Sequence, residues 1–153
     1  MKTIFTTLLF CFLFFSLNAQ PGSIDSTFGN NGKVISTFQN YNTAESVLIE
    51  QDQKIIIAGE SSSGGIAVRY NTDGTIDSSF GMNGFFITAE LGIKITGALD
   101  KNEKIVLAGT YNNELRTIRL LNNGQIDSSF GKNGIASING ANFAVENVAI
   151  QND

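Results

Sequence analysis

The strongest constraint on the fold is a repeat. The stretch "IDSTFG" at residues 24–29 returns as "IDSSFG" at residues 76–81 and again at residues 126–131. Around the last two copies the likeness widens: residues 54–88, "KIIIAGESSSGGIAVRYNTDGTIDSSFGMNGFFIT", lie without a gap over residues 104–138, "KIVLAGTYNNELRTIRLLNNGQIDSSFGKNGIASI". Lys54, Ile55, Ala58, Gly59, Arg69, Gly74, Ile76, Asp77, Ser78, Ser79, Phe80, Gly81, Asn83 and Gly84 all recur identically fifty positions on. Self-similarity at such a period means a supersecondary unit that buries its apolar faces against its own copies.

Each unit reads as four short strands. "SVLIEQ" leads through Asp52-Gln53 into "KIIIAG", and the second unit turns at Asn102-Glu103 into "KIVLAG". Asp and Asn tolerate the positive φ of tight hairpin turns, which predicts two-residue connections. The runs "IIIA" and "IVLA" are apolar on both faces, as in a strand with neighbours on either side. "IAVRYN" alternates, with Ile66, Val68 and Tyr70 on one face and Ala67 and Arg69 on the other. A turn at residues 71–74, or 121–124, then runs through the six-residue motif into a last strand, "GFFIT" or "GIASI".

The motif is therefore the corner between third and fourth strands. Phe80 and Phe130 are expected to anchor it by burying an aromatic ring. Asp77 and Asp127 are expected to cap it by accepting backbone N–H bonds, and Gly81 and Gly131, with Gly84 and Gly134, to release it. The copy at Asp25, Phe28 and Gly29 plays the same part ahead of a fourth strand at residues 34–38. Arg69 and Arg119 are each expected to pair with an Asp of their own or an adjacent unit.

Four strands about every fifty residues is the period of propeller blades, each packing a face on the next. The all-β, propeller-like chain resembles the delta-60 repeat β-propellers, whose units read like "DGKIVVAG…ARLNADGSLDTTFG.GG". The resemblance implies a propeller in exported, mostly bacterial proteins, often with other modules attached, and implies no established reaction. The repeat domain spans residues 20–153, with units at 44–92 and 93–143 and partial strands on either side, the last of them "ENVAIQND". About two and a half units fall short of the four to eight blades of a closed ring. The expectation is a fragment of a longer protein, with self-association through uncovered blade edges as the alternative.

Ahead of the repeats, Lys2, an apolar run at residues 4–17 and Ala19 have the pattern of a secretory signal peptide over residues 1–19. The run is shorter than the ~20 residues that span a bilayer. The expected destination is outside the cell, in the periplasm or at the cell surface, with no membrane association after cleavage. Cleavage takes away the single Cys, so no disulfide holds the mature chain, and removing Lys2 moves the formal charge from -4 to -5. An acidic chain without basic runs excludes nucleic acid as the expected partner.

Chemistry is sparse. With no His, and no Cys once the leader is gone, neither a Ser-His-Asp nor a Cys-His arrangement can be built. Asn71, Asp73 and Asp77 have oxygen-ligand spacing that fits a short calcium loop, but the second unit puts Leu121, Asn123 and Asp127 there. The set falls short of the usual six to eight oxygens, and Asx turns account for it equally. "SSSGG" lacks the Lys-[Ser/Thr] of a phosphate loop and reads as an exposed hairpin loop. No cofactor is expected. Two function classes remain: a noncatalytic extracellular scaffold or binding module contacting protein or glycan, with Tyr41 and Tyr111 as stacking residues, or part of a secreted enzyme whose active residues lie in other blades or modules.

Overall fold

The computed structural model describes residues 22–36, 42–140 and 145–151. Two four-stranded antiparallel sheets account for the strands among them. The first has the order β1 (Asn42–Ile49), β2 (Ile55–Ser61), β3 (Gly64–Tyr70), β4 (Phe85–Thr88). The second repeats it as β5 (Ile93–Leu99), β6 (Ile105–Tyr111), β7 (Glu114–Leu120), β8 (Ile135–Asn139). The expected unit of four strands in sequence order is thus the observed one. "IIIA" and "IVLA" occupy strands paired on both sides, where an unbroken apolar run loses least to water.

Register sets what each sheet face carries. Val68 pairs with Ile57 and with Phe85, so these share one face; Ala67 pairs with Ala58 and with Phe86, and these share the other. The second face, carrying Leu48, Ile56, Ala58, Ala67 and Phe86, packs on Leu99, Ile105, Leu107, Ile118, Leu120 and Ile135 of the second sheet. Those residues stand fifty positions after Ile49, Ile55, Ile57, Val68, Tyr70 and Phe85, which belong to the opposite face of the first sheet. The sheets therefore stack front to back in the same sense. The first sheet's own front, with Ile66, Val68, Tyr70, Ile55, Ile57 and Phe85, forms a second cluster that includes Val34 of the preceding segment.

The same geometry makes identical residues differ. Phe80 faces the second sheet and is 0% exposed, whereas Phe130, on the back of the second sheet, is half-buried.

Four local expectations need correction. The β1–β2 and β5–β6 hairpins are not two-residue turns. Gln53 N donates to Glu50 O at 2.9 Å and Glu50 N to Lys54 O at 3.0 Å, so residues 51–53 form the loop. Positive φ falls on Gln53 (68°) and Glu103 (60°), after the Asp or Asn and not on it. That is a three-residue loop with its last residue left-handed, where Asp52 instead holds the turn by accepting Lys54 N at 3.1 Å. The loop of "SSSGG" shrinks to Ser62-Ser63, since Gly64 and Gly65 begin β3 and Gly65 is buried against Leu91.

The fourth strand expected at 34–38 is absent from its described part, 34–36, and residues 37–38 lie outside the described residues. Of "ENVAIQND", residues 146–151 are not strand either, and 152–153 lie outside the described residues. A strand needs a hydrogen-bonding neighbour, and the described residues offer neither segment one. The leader at residues 1–19, together with Tyr41, also lies outside the described residues.

Candidate functional site

The repeated corner is a charge cluster built on one carboxylate. The Asp77 side chain turns back on its own loop: Oδ1 accepts Ser79 N at 3.0 Å and Ser79 Oγ at 2.6 Å. Oδ2 faces the sheet and takes Arg69 Nε at 2.9 Å and Lys54 Nζ at 3.1 Å. Arg69 of β3 lies opposite Ile56, and Lys54, two residues before Ile56 and just ahead of β2, falls on the same side, so both reach the corner. Asp127 repeats the pattern, with Ser129 N at 3.1 Å, Ser129 Oγ at 2.6 Å, Arg119 Nε at 2.8 Å and Lys104 Nζ at 2.8 Å. Each Arg belongs to the same sheet as its Asp.

Each guanidinium also lies over the Phe of its own motif, 4.8 Å from the Phe80 centroid and 4.7 Å from that of Phe130. Asp25 makes the Thr27 bonds alone, at 2.9 Å and 2.6 Å, and is exposed.

Burial by itself pushes the Asp77 carboxyl up, but the Ser79 and Lys54 hydrogen bonds and the Arg69 charge outweigh it and hold the group well below the usual carboxylate range. For Asp127 the Lys104 and then the Ser129 hydrogen bonds do the same. Permanently ionised carboxylates with two cations each are poor general acids or bases at neutral pH.

The corner also joins one sheet to the next. Gly81 N donates to Asn123 O at 2.8 Å, Gly29 N donates to Asp73 O at 2.8 Å, and Arg69 Nη1 donates to Asn122 O. Each corner thus grips the turn that follows the third strand of the next unit. Close approach requires glycine there: a Cβ on Gly124, whose φ is +80°, would meet Gly81 N at 2.7 Å and the Phe80 ring at 2.8 Å. Gly124→Ala is expected to lower stability by about 1–3 kcal/mol, measured by urea unfolding, while a cost within error of zero contradicts the seam as described.

The calcium candidates do not converge. Asp73 Oδ1 accepts Thr75 N at 2.9 Å and Thr75 Oγ1 at 2.6 Å, Asn71 Nδ2 donates to Thr75 at 3.0 Å, and Asp77 is engaged by its cations. The described residues contain no group of three His, Cys, Asp or Glu placed to hold a metal ion. Tyr111 has one ring face taken by the Arg116 guanidinium, 4.4 Å from its centroid. Beside the corner, Met82, Phe85, Phe86, Ile87 and Ile126 wall a groove of about 720 Å³ that also borders Asn83 and Gln125.

Sequence reasoning gave no role to Lys54, Lys104, Ser79 or Ser129, although their identity in both units was a sufficient signal. It also missed Glu50, a 4% exposed carboxylate at the end of β1.

Two segments, residues 50–80 and 102–130, match the family described as a domain of unknown function (DUF5122) beta-propeller. These are β-propeller repeats. The matched segments run from the first hairpin turn of each blade to the Phe of its corner motif, and the front-to-back stacking of the two sheets is that of adjacent blades. No curated protein and no solved structure matches the chain.

Proposed function

We propose that this is an exported, noncatalytic β-propeller scaffold or binding module of the delta-60 repeat kind, working as part of a larger propeller. The observation that carries the reading is the fate of the motif's polar groups: Asp77, Ser79, Arg69 and Lys54 spend their bonds inside a blade or on its neighbour, and the second blade repeats this. Residues so engaged and so repeated support architecture, and leave recognition to surfaces between blades. The groove walled by Met82, Ile87 and Ile126 is one such surface; Met82 is 79% and Ile87 54% exposed, which favours a protein partner over a glycan. The half-buried back of the second blade, with Val106, Thr117 and Phe130, is the kind of surface another blade covers in the first.

The test has two arms. Expression with the leader in a bacterial host is expected to give a product shorter by residues 1–19, read by mass spectrometry; retention of the leader on a cytoplasmic product overturns export. A photo-crosslinking side chain at Met82 is expected to capture one discrete cell-surface protein. Labelling no stronger than from Asn113, at the other end of the sheets, overturns the groove as a binding surface, and substrate turnover by the folded module overturns the noncatalytic reading.

A further inference from the structure

Among the described residues, one buried carboxylate is left over after the corner clusters are accounted for. Glu50 follows directly on β1, in step with Leu48 of the face packed against the second blade, and only 4% of it is exposed. Its Oε1 lies 3.4 Å from Arg69 Nη1, a long bond from a guanidinium already committed to Asp77 and to Asn122 O. Its Oε2 is buried and, among the described residues, has no hydrogen-bond partner. A carboxylate oxygen in that state is costly, because it has lost water and gained nothing for it.

The second blade shows that the fold does not need this arrangement. Asp100 stands at the equivalent position, one methylene shorter, and folds onto its own turn, accepting Asn102 N at 2.8 Å and Lys104 N at 2.9 Å. Arg119 accordingly has Asp127 as its acidic partner. Glu50 is therefore a feature of the first junction and not of the repeat.

Its charged surroundings come from every element at that seam. Arg69 reaches it from β3, Lys54 and Asp52 stand in its own hairpin, and Asp77 shares Arg69 with it. From the second blade, Glu103 accepts Gln51 N at 2.5 Å and brings a third acidic group to the seam. Glu50, Asp52 and Glu103 stand on one side of the balance; on the other stand Arg69, shared with Asp77, and Lys54, engaged by Asp52 and Asp77.

We propose that Glu50 is a proton-sensitive latch at the junction of the first two blades: uptake of a proton by Glu50 tightens the seam, and its ionisation loosens it. The geometry carries this, since the neutral acid removes a buried, half-paired charge and leaves the Arg69 bonds to Asp77 and Asn122 O in place. Burial, partly offset by Arg69 and reinforced by Asp52 and Glu103, acts in the same direction by pushing the Glu50 carboxyl up from its ordinary value. A group whose folded-state pKa is raised contributes stability that is fully present below its unfolded value and is lost as pH rises through the folded one. The corner aspartates have the opposite sign and lose their contribution only in strong acid, below the ordinary carboxylate range. Between these limits, mild acidification should strengthen the junction.

Two measurements on the full chain test it. In a side-chain carboxyl carbon NMR titration, the Glu50 resonance is expected to move with a midpoint above the ordinary glutamate value of 4.5, and the Gly81 amide, bonded across the seam, to move with the same midpoint. A Glu50 midpoint at or below that value, or a Gly81 amide that ignores it, overturns the proposal. In thermal unfolding, Glu50→Gln is expected to raise the Tm over the native chain by about 2–6 °C at pH 8, the gap closing as the pH is lowered toward 5. A gap that is absent at pH 8, or that stays constant with pH, overturns it too. The titration stands by itself if the variant does not fold.

Discussion

Phe80→Ala is expected to destabilise the chain by about 3–5 kcal/mol, and the same change at Phe130 by about 1–2 kcal/mol. The two residues occupy the same place in the same motif, with the same guanidinium above the ring. What differs is the neighbour. The Phe80 ring is 0% exposed, packed in the core cluster with the second blade's Gly124 turn closing over it, and truncation leaves a cavity under a turn that has no side chain to fill it. The Phe130 ring is already partly in water, so less apolar surface is lost and the space it vacates is solvent. Urea unfolding of the two variants, with equal slopes against the native chain, measures the difference. Equal costs would mean that the ring acts only within its own corner, and the front-to-back junction would then contribute little to stability.

How much of this was legible follows from which residues carry the periodicity. Strand order, the corner and the inner position of "IIIA" could be read because the repeat, the two-residue alternation in "IAVRYN" and the glycine spacing are local statements about the chain. The hairpin turns were misread because Asp and Asn can support a turn in two ways. Here they do so through the side chain, as Asp52 does for Lys54 N, and the left-handed conformation passes to Gln53 and Glu103. The seam was invisible for a different reason. Asn122 and Asn123 contribute carbonyl oxygens, which any residue has, so that only Gly124 marks the approach in sequence. Glu50 was hidden by its likeness to Asp100: two acids at matching positions suggest one role, and a single methylene separates a side chain that reaches Arg69 from one that caps a turn.

Arg69→Met is expected to cost about 3–5 kcal/mol, against about 1 kcal/mol or less for Arg119→Met. Arg69 is 6% exposed and serves two carboxylates, Asp77 and Glu50, as well as the carbonyl of Asn122 in the next blade. Met fills much of the volume but leaves Glu50 buried without a cation and Asp77 with Lys54 alone. Arg119 has a side chain 24% exposed and, among the described residues, a single acidic partner, which keeps Lys104 after the substitution. Water screens that loss as it cannot at the first junction. The double variant Arg69→Met/Glu50→Gln separates the causes: if the cost arises from stranding Glu50, removing its charge should recover about 1–2 kcal/mol of it, a coupling within the range of directly interacting buried groups. Purely additive effects in denaturant unfolding would place the whole cost in Asp77 and the lost packing over Phe80. Restoration of stability by the second change would show that the cost of losing the arginine lies chiefly in the charge of the acid it leaves behind, an acid whose counterpart in the second blade, Asp100, caps its own turn instead.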